Sequence, residues 1–357
     1  MKILFLAPYP PNSAPSQRFR FEQYFKLLLK EGHTITVKPF LSSNDYKVIY
    51  SPGRRFQKIL IIALGLVKRA GQIRAALRHD WVFIHREAAP VGPPIIEWII
   101  ARLLKKKVIY DFDDAIWLTD KKNEDWIDSL LRYRKKVKSI CRWSFRVSCG
   151  NQYLTDYAAQ FAKQVIINPT TIDTEYVQNQ AFAAPAKLTE QITIGWTGTH
   201  STLKYLDSIT DVLGQLEKMY PNLRFLVIAD RNPGYPLSSY VFKAWDASTE
   251  ISDLKEIDIG IMPLPDDQWT RGKCGFKILQ YLSLGIPAVA SPVGVNKRII
   301  TPANGLLANT TDEWMNSLEL LIQKADLRQQ MGREGVRMVE ENYSVDSNSG
   351  NFLALFN

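Results

Sequence analysis

The residues with the clearest capacity for chemistry lie in one segment, RGKCGFKILQYLSLGIPAVASPVG, which runs from Arg271 to Gly294. Gly272 and Gly275 permit a tight loop at its start. A helix is predicted to begin near Phe276, and the N–H groups at a helix N-terminus attract anions. The segment therefore predicts an anion-binding turn, followed by a helix that stops at the Gly-Ile-Pro stretch 285–287.

Cations cluster at this predicted helix start. Arg271, Lys273 and Lys277 all lie within five residues of it. Basic side chains oppose the helix dipole at that end, so three of them together indicate a bound anion, and a diphosphate fits best. The N–H group of Cys274 and the amide of Gln280 are expected on the same ligand side. The alternative is an ordinary helix with a basic first turn.

A second turn of this kind is predicted within the segment IGWTGTHSTLKYLD, residues 194–207. Gly198 opens the turn after a strand, and Thr199 and His200 follow as donors suited to phosphate oxygens. Lys204, a turn or less into the next helix, can reach back over the same pocket. Many strand-turn-helix units look like this, so the segment alone is weak evidence for a phosphate site. Its significance comes from the anion-binding turn predicted at Arg271–Gly294, in the same half of the chain.

Three carboxylates follow a predicted strand in the first half of the chain. They are Asp111, Asp113 and Asp114 in the segment YDFDDAIW. An Asp-x-Asp metal site is one interpretation, although a group of acids needs a structural context to hold a metal ion. Capping of a following helix by Asp113 and Asp114 is the other.

The first loop, PYPPNSAPSQRFRFEQYF, joins a predicted strand to its helix. Ser16, Arg18 and Arg20 lie at that helix start, where they suit an acceptor phosphate or a diphosphate. Solvated arginines on a helix face are an equally good interpretation. His85 ends another predicted strand at the same edge, and a lone histidine there is more often structural.

Apolar strand-like runs alternate with helical periodicity along both halves of the chain, which predicts α/β structure with parallel sheets and helices on both faces. The predicted helices include those over about 18–30, 126–141 and 203–219. We predict a first domain over 1–170, a linker over 171–191 and a second domain over 192–340. Residues 341–357 are predicted to form a last helix that returns to the first domain. Such doubly wound domains bind ligands at the carboxyl ends of their strands.

Charge is distributed unevenly between these halves. Residues 1–165 contain 29 Lys and Arg against 14 Asp and Glu, whereas residues 166–357 contain 16 against 22. A basic half of this kind favours a polyanionic partner, and two apolar segments with basic ends, 54–74 and 93–107, resemble interfacial helices. Core-facing helices flanked by lysines are the commoner case. The longest apolar run, 59–67, is too short to span a bilayer.

The cysteines and the N-terminus bear on location. The three cysteines show neither a disulfide framework nor zinc-ligand spacing, which fits a reducing cytoplasm. The apolar start MKILFLAPYPP is too short for a signal peptide and is predicted to be a strand. We therefore expect a cytoplasmic chain, with the inner face of the plasma membrane as the surface that a peripheral form would use.

These motifs resemble the retaining GT-B glycosyltransferases of family 4. The likeness is strongest over 192–345, where GKCGFKILQYLSLGIP corresponds to the family's Glu-Gly-Phe-Gly-x3-Glu-Ala-x3-Gly-x-Pro motif. The stretches IINPTTIDTEYV (166–177) and DIGIMPL (258–264) resemble the family's crossover and the strand before its donor loop. The resemblance implies a GT-B fold, in which two Rossmann-like domains face a cleft.

The resemblance also implies roles for individual residues. Lys204 would grip the donor diphosphate, and Gln280 would replace the carboxylate that holds the ribose hydroxyls. Asp113 occupies the position of a histidine near the donor sugar, so Asp113, Lys204 and Lys273 are the residues expected to act in catalysis. Asp230 is a candidate contact to the nucleotide base. The family's arginine falls at Thr199 and its first glutamate at Gly272, so the resemblance does not specify the donor sugar.

The function implied is transfer of a sugar from a nucleotide-diphosphate sugar to a glycan or lipid-linked acceptor. Such hexosyltransferases (EC 2.4) build cell-surface polysaccharides and glycolipids, and an acceptor on an anionic membrane would explain the basic half. No metal or other cofactor is expected, since this family uses lysines and helix dipoles instead. The rivals are a nucleotide-sugar epimerase or hydrolase and a noncatalytic polyanion- or membrane-binding protein. No nucleic-acid-binding motif is present.

Overall fold

The computed structural model describes residues 1–120, 131–183 and 191–357. These residues form two compact units. Unit 1 comprises residues 1–170, 272–274 and 348–357, and unit 2 comprises residues 171–271 and 275–347. Each unit contains a parallel sheet with flanking helices, as the alternating pattern of the sequence predicts.

Unit 1 is built on a six-stranded parallel sheet with the order β2-β1-β3-β4-β5-β6. β1, β3 and β4 are almost wholly buried, which matches their continuous apolar sequences. The strands are β1 (Lys2–Ala7), β2 (Thr34–Pro39), β3 (Trp81–His85), β4 (Lys107–Phe112), β5 (Arg146–Cys149) and β6 (Val165–Ile167).

The helices of unit 1 flank this sheet along the chain. They are α1 (Pro15–Arg18), α2 (Phe25–Lys30), α3 (Ser43–Tyr50), α4 (Arg55–Leu77), α5 (Ile95–Trp98), α6 (Lys136–Trp143) and α7 (Gln152–Ala159). A 3-10 turn at Glu22–Tyr24 precedes α2, and a π-helical turn at Ile99–Leu103 continues α5.

Unit 2 is also built on a six-stranded parallel sheet, with the strand order β12-β11-β10-β7-β8-β9. Its strands are β7 (Ile192–Gly198), β8 (Leu223–Ala229), β9 (Tyr240–Ala244), β10 (Ile259–Met262), β11 (Ala288–Ala290) and β12 (Gly305–Leu307). Its helices are α8 (Thr174–Ala183), α9 (Thr210–Met219), α10 (Glu250–Leu254), α11 (Phe276–Ser283), α12 (Asn296–Ile299), α13 (Thr311–Gln323) and α14 (Ala325–Asn342). The helix α15 (Ser349–Leu353) returns the chain to unit 1.

Several elements differ from their predictions. The helix predicted over about 18–30 is broken into α1, the 3-10 turn at Glu22–Tyr24 and α2, and Arg20 and Phe21 between α1 and the turn are fully buried. The predicted linker contains α8, although part of that linker lies outside the described residues. The helix predicted over 126–141 also falls partly outside them, and its described part is α6.

Strands β9 and β12 and helices α3, α10 and α12 are absent from the sequence predictions. β9 is only half-buried, so it lacks the strong apolar signal of a central strand. β12 has three residues. The helix predicted over 203–219 begins earlier than expected, as a 3-10 helix at His200–Ile209 that leads into α9.

Helix α11 lies unusually close to the sheet of unit 2. A Cβ atom placed on Gly260 of β10 would be 2.3 Å from the ring of Tyr281 in α11. The Tyr281 hydroxyl then accepts a hydrogen bond of 3.1 Å from the N–H of Thr197 in β7. This approach fixes α11 against the carboxyl ends of the central strands.

The end of α11 is held in the same manner by α14. A Cβ atom on Gly332 of α14 would lie 2.1 Å from the carbonyl oxygen of Gly285, the residue that ends the turn after α11. Gly285 itself has φ +72°, a conformation that favours glycine. Backbone contact between these two glycines therefore fixes the C-terminal end of α11 against α14.

A buried ion pair lies at the carboxyl end of the sheet in unit 1. Arg20 and Asp111 are both fully buried, and the Arg20 guanidinium binds the Asp111 carboxylate directly. His85 Nδ1 donates to Asp111 Oδ2 at 2.8 Å, and the Ser148 hydroxyl donates to Asp111 Oδ1 at 2.6 Å. Arg20 also donates to the carbonyl of Asn168, so this network joins the segment after α1 to β3, β4, β5 and the residue after β6.

Burial raises the pKa of Asp111, but Arg20 and His85 outweigh it and hold that pKa well below its usual range. A carboxyl group whose pKa is depressed by folding stabilises the fold above its unfolded pKa. That stabilisation is lost as the pH falls from the unfolded value of about 4 toward the lower folded value.

We expect Gly332→Ala to destabilise unit 2 by about 2 kcal/mol or more, because the new methyl group must push α14 away from Gly285. Alanine is otherwise the better helix former. Gly71→Ala in α4 is the matched control, since no atom lies within 4 Å of the added methyl group. Urea unfolding followed by circular dichroism measures both. Equal stability of the two variants would contradict the close contact.

We expect Asp111→Asn to lower the free energy of unfolding by about 3–5 kcal/mol at neutral pH, because it leaves the Arg20 charge buried without its partner. The difference in the free energy of unfolding between the variant and the wild type should shrink below about pH 4, where the wild type loses the stabilisation that the Asp111 carboxylate provides. Urea unfolding measured between acid and neutral pH tests both statements.

The double variant Arg20→Met/Asp111→Asn serves as the control for this pair. Removing both charges should cost less than removing Asp111 alone. A double variant less stable than Asp111→Asn would show that the two charges do not compensate each other.

Candidate functional site

The N-terminus of α11 in unit 2 has the backbone that the sequence predicts. Gly275 is its N-cap residue, with φ +69°. A Cβ atom there would lie 2.3 Å from Ile299 Cδ1, so glycine is required for both conformation and space. The helix begins at Phe276, and the positive end of its dipole is directed at the carboxyl edge of the sheet.

Lys277 brings the two predicted turns of unit 2 together. Its ammonium group lies 5.3 Å from the centre of the Trp196 ring in β7. A Cβ atom on Gly198 would be 2.9 Å from Lys277 Cε, so this lysine crosses the end of β7 through the space that glycine leaves. The anion site predicted at α11 and the one predicted after β7 are therefore parts of one region.

Residues after β7 add hydroxyl groups and a second lysine. Thr199 precedes the 3-10 helix, and its hydroxyl lies 2.9 Å from that of Ser201. Lys204 is exposed, with its ammonium group 5.3 Å from the ring centre of Tyr205. An anion in solvent can therefore reach this lysine.

His200 and Asp230 form a bridge between the ends of β7 and β8. The backbone N–H of His200 donates to Asp230 Oδ1 at 2.6 Å, and its ring Nδ1 lies 2.6 Å from Oδ2. Both side chains remain more than a third exposed. The predicted roles of His200 toward phosphate and of Asp230 toward a base stay predictions, and the structure adds that the two act as a unit.

Gln280 is buried and points at a carboxylate. Its Nε2 atom lies 3.3 Å from Glu250 Oε1, which also accepts from Trp245 Nε1 at 3.2 Å. Glu250 is itself buried. The Glu250 carboxylate, on α10, therefore lies beside Gln280, the residue that was predicted to take the place of the family's carboxylate.

Arg271 is exposed and lies in the loop that precedes α11. Its Nε atom donates to Asp266 Oδ1 at 2.6 Å, and both side chains are about half exposed. A surface ion pair of this kind is weak. Arg271 can therefore exchange this partner for another anion.

The predicted acids after β4 form an ion-pair cluster in unit 1. Arg86 donates to Asp113 Oδ1 at 2.8 Å and to Asp114 Oδ2 at 2.6 Å. The Lys273 ammonium group lies 3.7 Å from Asp114 Oδ1. Burial lowers the pKa of Arg86, but the two acids outweigh it and raise that pKa above its usual range.

This cluster differs from both interpretations of the YDFDDAIW segment. The two carboxylates bind cationic side chains, and no helix that they would cap begins after them within the part of the chain that the structure describes. Arg86 has φ +58°, an unusual conformation for arginine that aims its side chain at both acids. The catalytic roles expected of Asp113 and Lys273 stay predictions.

The loop residues 272–274 pack within unit 1. Asn151 Nδ2 donates to the carbonyls of Gly272 and Lys273, both at 3.0 Å, while its Oδ1 caps α7. The Cys274 thiol donates to the carbonyl of Asp113 at 3.2 Å. Burial raises the pKa of Cys274, so the thiol is a structural donor here.

Two of the four predicted acceptor residues lie inside unit 1. Arg20 and His85 are fully buried in the Asp111 network, so an acceptor cannot reach them in this structure. The charge of Arg20 is already paired with Asp111, and the roles expected of Arg20 and His85 toward an acceptor stay predictions. Ser16 and Arg18 are half-buried and remain candidates.

Three residues escaped the sequence prediction. Glu250 and Asn151 sit in stretches without a recognisable motif, and their importance follows only from tertiary contacts with Gln280 and with the 272–274 loop. Arg86 had one signal, since it directly follows the predicted strand that ends at His85. A charged residue at the carboxyl end of a parallel strand is a site candidate in its own right.

Among known proteins, no family model and no curated sequence matches this chain. Solved structures do match it. Sucrose-phosphate synthase from Thermosynechococcus elongatus has a TM-score of 0.70 at 12% identity, over 100% of this chain and 98% of the other. HepE from Anabaena, in complex with UDP-glucose, has a TM-score of 0.66 at 14% identity, over 100% and 99%.

A third match has a different activity in its description. The UDP-GlcNAc 2-epimerase from Neisseria meningitidis, bound to UDP-GlcNAc, has a TM-score of 0.61 at 14% identity, over 99% of this chain and 98% of the other. At such identities the likeness establishes the fold alone. The fold is GT-B, with two Rossmann-like units, and the predicted fold class is confirmed.

Proposed function

We propose that this chain is a retaining glycosyltransferase that moves a sugar from a nucleotide-diphosphate sugar to a glycan or lipid-linked acceptor. The observation that carries the proposal is the meeting of Lys277, the α11 N-terminus and the Gly198 turn at one edge of the unit 2 sheet. This arrangement concentrates positive charge where a leaving diphosphate needs it. Two structures of the same fold hold UDP-glucose and UDP-GlcNAc, which makes a UDP-sugar the first donor to test.

The proposed step breaks the bond between the anomeric carbon and the terminal phosphate oxygen of the donor. The electron pair goes to the diphosphate, whose charge Lys204, Lys277 and the α11 dipole stabilise. The acceptor hydroxyl oxygen bonds the anomeric carbon from the same face, and its proton passes to a donor phosphate oxygen. The proposal assigns this charge stabilisation to the protein and assigns no step to a metal ion.

The Gln280–Glu250 pair suits the sugar hydroxyls of the nucleotide. An amide can accept from a hydroxyl, and a carboxylate accepts more strongly. Glu250 supplies the carboxylate that Gln280 lacks, and its Oε1 atom is within hydrogen-bond distance of Gln280 Nε2. We assign the ribose to these two residues together.

The same fold also hosts an epimerase, so hydrolysis or epimerisation of the donor is the competing function. The two differ in what they need, because only transfer consumes an acceptor. The acidic cluster around Arg86 in unit 1, with Asp113 and Lys273, belongs to the part of the protein that we assign to the acceptor.

We expect Lys277→Ala to weaken UDP binding by about 10- to 100-fold, which is the usual value of a charge-assisted contact to phosphate. A thermal-shift titration with UDP measures the change, because a ligand that binds only the folded state raises the melting temperature. Lys218→Ala, an exposed lysine at the end of α9, is the matched control. Equal UDP stabilisation in all three proteins would disprove the assignment of the site.

We expect incubation with UDP-glucose alone to yield little UDP and no epimer, and addition of an acceptor glycan or glycolipid fraction to raise UDP release. Chromatography of nucleotides and sugars measures both products. Lys204→Ala should lower the acceptor-dependent rate by about 100-fold, as removal of one stabilising donor does in other enzymes. Epimer or free sugar formed at a rate independent of acceptor would favour the competing function.

A further inference from the structure

Helix α4 in unit 1 is held on one side by close packing. A Cβ atom on Gly65 would lie 2.5 Å from the Phe40 ring, so the helix rests directly on that residue. Arg69 is buried on the same side and donates to the carbonyls of Ala7 and Ala88 at 2.8 Å. The orientation of the helix about its own axis is therefore fixed.

The opposite side of α4 is apolar and faces solvent. Phe56 is 90% exposed and Val67 is 72% exposed. Between them Ile59, Leu60 and Leu64 are each more than half exposed, and the spacing of these five residues places them on one face. We call these five residues the apolar stripe. A surface helix normally shows polar residues there, and an exposed apolar patch of this kind marks an interaction site.

The charge around the stripe has one sign. Residues 46–79 contain no Asp or Glu, whereas seven Lys and Arg lie between 54 and 78. Arg54 and Arg55 precede the stripe and Lys68 follows it, and all three are exposed. An apolar face bracketed by cations complements a bilayer that carries anionic lipids. A second copy of the chain would bring like charges together at this face.

The neighbouring helix extends the same surface. Ile96 of α5 packs in one cluster with Ile61 and Leu66 of α4, so the two helices are adjacent. Trp98 and Leu103, in and just after α5, are 44% and 63% exposed. Tryptophan favours the headgroup region of a bilayer, and basic residues follow at 102 and 105–107.

The stripe is suited to lie in the membrane surface. From Phe56 to Val67 it extends about 16 Å along the helix, roughly half of the hydrocarbon thickness. Within the described ranges, no helix combines the length and apolarity required to cross a bilayer. A helix of this kind binds with its axis in the plane of the interface.

We propose that α4, aided by the end of α5, docks unit 1 on the surface of an anionic membrane. The inference rests on exposure and charge alone, so it stands apart from the proposed sugar transfer. In the context of that transfer, it would place the basic unit beside lipid-linked acceptors.

The test is flotation of the full chain with vesicles of phosphatidylcholine alone or mixed with phosphatidylglycerol. We expect binding to the mixed vesicles that weakens at high salt. Ile59→Gln/Leu64→Gln should lower the partition constant by about tenfold or more, as should Arg54→Gln/Arg55→Gln/Lys68→Gln. The matched control is Met219→Gln/Leu320→Gln, which removes two exposed apolar side chains from unit 2.

The stripe is exposed, so its variants should fold, and unchanged thermal melting with unchanged UDP stabilisation would verify this. Three results would overturn the proposal. They are no binding of the wild type to the mixed vesicles, equal binding by the stripe variants and the control, and a wild-type dimer in sedimentation that the stripe variants abolish. The last result would identify the stripe as a contact between copies.

Discussion

The charge of Asp111 is the constraint on which unit 1 depends. A carboxylate in the interior must be compensated, and here Arg20, His85 and Ser148 each supply a contact to it. Those partners lie in the segment after α1, in β3 and in β5, so one charge fixes the relative positions of several elements. The backbone that leaves β4 then presents Asp113 and Asp114 to Arg86. The arrangement of charged side chains at this edge thus depends on a buried ion pair beneath it.

In unit 2, glycines rather than a buried charge fix how the elements pack. Gly260 lets the ring of Tyr281 approach β10, Gly198 lets Lys277 cross the end of β7, and Gly332 lets α14 touch the turn after α11. In each case the absence of a Cβ atom allows a contact that any other residue would block. The position of the α11 dipole, and with it the proposed donor site, follows from these close approaches.

The sequence predicted the fold and the start of α11 because both leave local signals. Buried parallel strands are continuous apolar runs, and Gly275 followed by Phe276 and Lys277 identifies a helix start. The sequence could not predict that Arg20 is buried, since its partner Asp111 lies 91 residues away. Glu250 was missed for the same reason, because its link to Gln280 is tertiary. Local patterns identify elements, whereas pairings between elements depend on the whole fold.

Unit 1 is completed by residues 348–357. Phe352 stacks on Tyr24 with ring centres 4.1 Å apart, and Phe352 and Leu355 are fully buried. A ribosome produces these residues only after every residue of unit 2, although most of unit 1 emerges first. During synthesis, part of the aromatic core of unit 1 therefore stays exposed until residues 348–357 have been made. Residues 171–347 can fold during that time. Chaperones that recognise exposed aromatic surface would meet this chain at its N-terminal unit.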